Sequence, residues 1–575
     1  MALISLKNKN ITVEAEPGTS LADCIRMAGL HIETPCNGAG SCGKCRVKAQ
    51  GALYQPTEGE MKLLAEAAAG MRLACMARVE GDVEIELPVS AESLNTINRG
   101  FSIDVEPDSD TKRMVLPAID RGSSKPYMET LAYKPADFSL LEKIGLLERD
   151  NIEEPAGVVW EDRLLDIGEI PQVLGVAVDI GTTGISAYLV SLESGRVLSR
   201  ASSLNPQTQY GGDVLTRISY CMNNADGSKL LKEAITKKID EIIGELTSGG
   251  YDRDSVYRVA IAGNTTMLHL FLGVDTRSVA LAPYRPVFTD RIDLKAAELS
   301  VNINKNGVLT LLPSASGYIG ADIIAGITAT GFNKKSGAAI FIDIGTNGEI
   351  AAINNGRIAA TSTAAGPALE GMNISCGCRA EAGAIDSFSI DETYNISYTT
   401  IGGIKPRGIC GSGLIDIAAF FVKREIVQRN GRFNPSLDLR VKDSLRDKCF
   451  YITDEIYISQ KDIRQIQLAK GAIAAGIALL LEKLGLPLDK VEEAVIAGAF
   501  GYHINPRSIM DISLIPKGFR GKITFVGNSS VEGARLALIN GSMLRAMEAL
   551  KDEITVLELS NSDSFQECFI NELNF

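Results

Sequence analysis

One stretch of the chain occurs twice. Val176-Ala-Val-Asp-Ile-Gly-Thr-Thr-Gly184 returns as Phe341-Ile-Asp-Ile-Gly-Thr-Asn-Gly348, aligned on Asp179 and Asp343. Repeats this far apart do not stack into a solenoid. They predict two related subdomains facing each other, each offering a strand, a tight turn and a second strand. The residue types suit phosphate. Glycines permit a turn whose N–H groups face an anion, threonines add hydroxyl donors, and an Asp at the strand end can hold Mg²⁺, usually through water. One such loop is a common turn. Two can grip a triphosphate from both sides of a cleft, which two unrelated hairpins would not need to do.

From Val173 onward, apolar strands alternate with Gly-rich turns and long helices, the grammar of an α/β fold. Three further Gly motifs suit the same cleft. Ala262-Gly-Asn-Thr-Thr-Met267 follows an apolar strand, Tyr257 to Ile261, and offers Asn264 and Thr265. Gly408-Ile-Cys-Gly-Ser-Gly413 opens an apolar helix, with Gly411 and Gly413 at a terminus able to face an anion. Ala497-Gly-Ala-Phe-Gly501 follows the strand Glu493 to Ile496, where Gly498 and Gly501 leave room for a flat adenine. Each alone is equally a packing turn. In this order they resemble the ATPase superfamily of acetate kinase, sugar kinases, heat-shock chaperones and actin, over most of residues 173–575.

Residues 1 to 88 follow other rules. Ile4-Ser-Leu6 and Ile11 to Ala15 alternate about a polar turn, predicting a hairpin. Ser20 caps a helix over Leu21–Ala28, Cys45 to Ala49 and Val83 to Leu87 read as strands, and Met61 to Ala69 reads as helical. The pattern is a β-grasp. Within it, Cys36, Cys42 and Cys45 stand in a Gly-rich loop and Cys75 follows far behind. Four thiolates suffice for a 2Fe–2S cluster, and the glycines let backbone N–H groups approach the sulfurs. Structural zinc is the alternative, but it prefers two Cys-x-x-Cys knuckles, and Cys75 has no neighbouring Cys. Cys24, Cys376, Cys378 and Cys410 read as buried thiols, and His31, His269 and His503 as surface or packing residues.

Residues 89–172 mix turn formers with uneven periodicity and predict a linker followed by a small α+β domain. The fold class expected is therefore multidomain α/β and α+β: a ferredoxin-type β-grasp domain at 1–88, a linker and middle domain at 89–172, and a two-lobed ATPase of the actin and Hsp70 type at 173–575, with lobes near 173–335 and 336–575. The 575 residues carry 58 Lys and Arg against 71 Asp and Glu, a net charge of −13. That acidity argues against a nucleic-acid partner and an anionic membrane surface. The apolar stretch Gly471 to Leu481 is about half a bilayer span. Without a signal-peptide pattern at the N-terminus, the expectation is cytoplasmic.

A 2Fe–2S β-grasp domain joined to such an ATPase resembles the reductive activators of corrinoid proteins. The resemblance implies a one-electron return of inactive Co(II) to active Co(I), coupled to ATP hydrolysis, on the corrinoid protein of a methyltransferase system. It implies Cys36, Cys42, Cys45 and Cys75 as cluster ligands. Gly181, Thr182, Thr183, Gly184, Gly345, Thr346, Asn347 and Gly348 become nucleotide contacts, and Asp179 and Asp343 metal anchors. Glu349 becomes a candidate to polarise the attacking water, a structural strand residue being the alternative. The loop Thr361 to Gly371 also resembles the family, its hydroxyls either meeting the corrinoid or capping a helix. An external low-potential electron donor is implied, and a homodimer is left open. Ferredoxin-type clusters sit near ~−400 mV and the family's cobalt couple lies lower, so ATP-driven closure either favours a complex in which Co(II) is easier to reduce or drives that complex apart afterwards. Other readings are an activator of a radical dehydratase, a redox module with a nucleotide sensor and, least, a sugar kinase.

Overall fold

The computed structural model describes the whole chain except residues 8, 10, 29, 31, 33–39, 41, 42, 44, 65–69, 88–102, 121, 132, 150, 151, 153, 499–503 and 560–562. The first five strands, β1 Ala2–Leu6, β2 Ile11–Ala15, β3 Arg46–Leu53, β4 Met71–Leu73 and β5 Val79–Glu86, form one sheet in the order β2-β1-β5-β3-β4. The expected hairpin is present, Ala2 opposite Ala15. Ser20 accepts the Asp23 N–H and caps the helix Leu21–Met27. The second helix begins earlier than expected, at Glu58, because Thr57 supplies the cap; it is described to Leu63. The expected continuation at 65–69 lies outside the described residues.

A four-stranded sheet follows, ordered β6-β8-β9-β7, from β6 Thr111–Val115, β7 Lys134–Pro135, β8 Ala156–Trp160 and β9 Arg163–Gly168. The helix Ser139–Arg149 covers it through Leu140 and Leu147. This α+β unit is not a loose spacer. Segment 103–110 is pinned to the far end of the chain: Ser109 donates to the Leu538 carbonyl at 2.7 Å, and Ile103 is gripped by the buried Glu532–Arg535 pair.

The repeated loops lie in twin sheets. Strands β10 Leu174–Ile180, β11 Gly184–Ser191, β12 Val197–Leu204, β13 Val256–Gly263, β14 Ile292–Lys295 and β15 Val308–Leu311 are ordered β12-β11-β10-β13-β15-β14. In the second lobe come β16 Ala339–Ile344, β17 Gly348–Asn354 and β18 Arg357–Thr363. Small side sheets follow, one from β19 Ala384–Ile390, β20 Ile396–Thr400 and β21 Gly408–Ile409, the other from β22 Leu445–Arg446, β23 Cys449–Tyr451 and β24 Tyr457–Ser459. Then β25 Glu493–Ala497, β26 Lys522–Gly527 and β27 Ile554–Val556 complete the order β26-β25-β16-β17-β18-β27. In each lobe an antiparallel hairpin is flanked by one parallel strand, β13 beside β10 and β25 beside β16. Strand β10 is buried at nearly every position because helices cover both faces.

The last part of the chain packs back onto the first lobe. Helices Ser529–Ile539 and Gly541–Glu553 pack into the first lobe's core through Val531, Leu536 and Leu544, crossing the helix Ala321–Ala329. The helix Gln460–Lys483 is long and apolar enough for a bilayer, but 78% of its apolar window is buried against the second lobe. Gly476 presses on Thr363 and Ile350 there. It is a core helix, which its all-round burial explains.

Candidate functional site

The twin hairpins bring their turns together at the cleft between the lobes. Asp179 lies at the end of β10 and is held by the start of the helix Ser529–Ile539: Asn528 Nδ2 donates to its Oδ2 at 2.8 Å and Ser530 Oγ to its Oδ1 at 2.9 Å. Asp322 opens the helix Ala321–Ala329, and Asp343 ends β16 with Glu349 opposite it in register. Glu349 is buried and the three aspartates are half-buried; desolvation is the largest cause raising each pKa, and carboxylate repulsion adds to it for Asp322, Asp343 and Glu349. Asp343 is pushed up to about 8 by desolvation and by the charges of Asp322, Asp179 and Glu370. Asp322 is pushed to about 7 by desolvation and Asp179. Glu349 lies well above the usual carboxylate range for the same reasons. Asp179 is also raised, though its Asn528 and Ser530 bonds pull the other way.

Buried acids this close either keep protons or share a cation. Among the described residues no three carboxylates, thiols or imidazoles converge closely enough for direct coordination.

The two phosphate-type loops meet. Thr183 Oγ1 lies 3.2 Å from Thr346 Oγ1, and both reach Glu370 Oε2, at 3.3 and 2.8 Å. The first loop is braced from behind. Asn205 Nδ2 donates to the Gly181 carbonyl at 2.8 Å, and the fully buried Arg217 donates to the Thr182 and Gly211 carbonyls. With those carbonyls drawn backward, the loop's other edge is left to the cleft. Desolvation pulls the Arg217 pKa down to about 9.

Of the residues singled out in sequence, Asp179, Gly181, Thr182, Thr183, Gly184, Asn264, Asp343, Gly345, Thr346, Asn347, Glu349, Gly411 and Gly498 line the cleft. Three others turn elsewhere. Thr265 donates to the Ser316 carbonyl at 2.6 Å. Gly348 gives its carbonyl to Thr363, and Gly413 lies against the Ile385 carbonyl, so both glycines serve packing. Gly501 lies outside the described residues. Thr361 and Thr363 belong to β18, are buried and donate internally, Thr361 to the Leu557 carbonyl and Thr363 to the Gly348 carbonyl. Cys376 and Cys378 are only half-buried, whereas Cys410 is buried as expected. His269 packs against Phe288 and accepts the Val287 N–H; His31 and His503 lie outside the described residues. Sequence reading missed Asp322, Glu370, Arg379, Asn528 and Ser530, all lining the cleft. Gly-Asn-Ser-Ser after an apolar strand was a legible signal for the last two, and Glu370 stands in the loop Thr361 to Gly371 already singled out; Asp322 and Arg379 carry no local mark.

In the β-grasp domain, Cys45 and Cys75 lie 3.2 Å apart at 2% and 8% exposure, and the Cys75 N–H points to the Cys45 sulfur at 3.5 Å. Cys36 and Cys42 lie outside the described residues. Two buried sulfurs with a backbone donor fit half of a four-thiolate cluster site.

Known proteins match both halves. Residues 4–80 match the 2Fe-2S iron-sulfur cluster binding domain, 174–335 the RACo middle region, and 337–575 the C-terminal domain of RACo, the ASKHA domain. The corrinoid activation enzyme RamQ of Eubacterium limosum is 31% identical across 100% of this chain and 98% of its own. A solved reductive activator for corrinoid, iron-sulfur protein is 30% identical, covers 100% of this chain and 98% of that one, and superposes with a TM-score of 0.76. The chain belongs to the family of corrinoid protein activators. A Co(II) methylated amine-specific corrinoid protein reductase of Methanosarcina barkeri is 26% identical over 70% of this activator and 77% of its own length. The activator carries an iron–sulfur domain and an ATP-binding fold in one chain, and the family's middle region coincides with its first lobe, not with the α+β unit before it.

Proposed function

We propose that this chain reduces the Co(II) form of a corrinoid protein to Co(I) by one electron, at the expense of ATP. Likeness to corrinoid activators along the whole chain, cluster domain and ATPase together, carries the reading. Cys36, Cys42, Cys45 and Cys75 would hold a 2Fe–2S cluster, which supplies one-electron transfer near ferredoxin potentials. The chain itself divides at 1–88, 89–172 and 173–575, works in the cytoplasm on the corrinoid protein of a methyltransferase system, and takes its electron from an external low-potential donor.

The cleft residues have separate tasks. Thr183 and Thr346 donate to phosphate oxygens from opposite lobes, so one nucleotide draws the lobes together. Asp179 and Asp343 would hold a Mg²⁺ ion, which would supply charge neutralisation for the phosphates. Glu349 accepts a proton from the attacking water, a task suited to a carboxylate made more basic by burial and neighbouring carboxylates. Closure then acts on the partner through differential binding of its two redox states, the only route by which nucleotide energy can be transmitted.

The test is visible absorption of cobalt in a mixture of the iron-loaded activator, a Co(II) corrinoid protein, a low-potential reductant and Mg-ATP. Co(I) should accumulate with ATP and not without it, and not with Cys45→Ser. Equal reduction without ATP would overturn the reading.

A further inference from the structure

Glu370 stands where a nucleotide phosphate has to work. Its Oε2 takes Thr346 Oγ1 at 2.8 Å and Thr183 Oγ1 at 3.3 Å, so a single carboxylate oxygen joins hydroxyls from both lobes. Each threonine hydroxyl has one proton to donate. A phosphate oxygen bonded by these two donors must therefore take them from Glu370. The displaced carboxylate would then face a phosphate of like charge in a buried site, an arrangement that costs free energy unless it turns aside or meets a cation.

Glu370 closes the short turn Pro367–Glu370, bounded by Gly366 at φ 74° and Gly371 at φ 78°. Both are left-handed conformations that glycine adopts freely. Ala368 and Leu369 of the same turn are buried in the second lobe's core, so release starts at the half-buried Glu370 side chain and its flanking glycines. Arg379 lines the same cleft and acts electrostatically on Glu370.

We propose that Glu370 is a built-in competitor of the nucleotide phosphates: it clasps Thr183 and Thr346 until phosphate takes both hydroxyls, and its release moves segment 366–371. Glu370 is a positioning residue, and the proposal rests on the reading of the cleft as a nucleotide site. It sets nucleotide affinity below what the loops alone would give, and it makes phosphate arrival a displacement of a chain segment and not only a local contact.

The experiment compares wild type, Glu370→Gln and Glu370→Asp in titrations with Mg-ATP, Mg-ADP and adenosine. Removing the charge or shortening its reach should tighten ATP and ADP about tenfold, equivalent to ~1.4 kcal/mol, and leave adenosine unchanged. A residue that merely supports the fold would weaken all three ligands or none. Hydrogen exchange of wild type is the second measurement, independent of whether a variant folds. ATP should speed exchange in residues 366–371 while adenosine does not. ATP binding unchanged or weakened in both variants, or exchange in 366–371 unaltered by ATP, overturns the proposal. Absence of ATP binding to wild type itself overturns the nucleotide reading instead.

Discussion

Asp343 is half-buried beside Asp322, Asp179 and Glu370, in surroundings that resist its ionisation. Its folded pKa of about 8 lies above the usual carboxylate value. The native state therefore binds more protons than the unfolded chain between about pH 4 and 8, and stability contributed by this group falls as pH rises through that window. Asp343→Asn removes the ionisation while keeping the shape. The variant should gain on the order of 1–2 kcal/mol over wild type at pH 8, with a smaller gain at pH 5, and should lose ATP hydrolysis. Urea unfolding across that pH range checks it; a gain that does not vary with pH would contradict burial as the cause. The same residue shows how far one position is legible. Asp-Ile-Gly-Thr marks Asp343 as a strand-end carboxylate, but Asp322, which presses on it, sits in Gly320-Ala-Asp-Ile with no motif to announce it.

Two helices hold the carboxylates in place. Ala321–Ala329 brings Asp322, and Ser529–Ile539 with its cap Asn528 brings Ser530 to Asp179. They cross closely: a Cβ on Gly533 would fall on the backbone carbonyl of Ala325, and one on Gly326 would come within 2.7 Å of Ser529 Oγ. In an exposed helix Gly→Ala gains up to about 1 kcal/mol. Here overpacking against backbone outweighs that gain, since such strain costs about 1–3 kcal/mol. Gly533→Ala should therefore lower stability and, by parting the helices, weaken nucleotide binding through Asn528 and Ser530. Thermal unfolding and ATP titration of the variant measure both; a stabilised variant would show that the crossing yields easily. The strands of these elements were readable from apolar runs and turn residues. The crossing was not, because a small residue at a helix contact looks in sequence like any other Gly.

At the scale of the whole molecule, the ferredoxin-type domain touches the first lobe at a telling place. Arg26 donates to the Gln209 carbonyl at 2.7 Å and stands 5.8 Å from the centre of the Tyr210 ring. Gln209 closes the turn Pro206–Gln209, whose cap, Asn205, braces the first phosphate loop. With segment 103–110 pinned to the ATPase, residues 87–102 connect the cluster domain to the rest, a far shorter connection than a linker and domain over 89–172 would suggest. Arg26→Ala should enlarge the particle in small-angle X-ray scattering without altering the cluster's EPR signal; an unchanged particle would mean that Arg26 does not hold the dock. The sequence by itself determined the parts: the duplicated loops, the four-cysteine spacing and the β-grasp and α/β patterns are written in short periods and turn residues, which local backbone chemistry enforces. Only the tertiary structure decided the site as a whole. Asp322, the neighbouring pair Glu370 and Arg379, and Asn528 come from three distant segments, and helices 529–553 return to the first lobe. Burial and close helix contact bring them together, and these depend on what the chain packs against, not on neighbours in sequence.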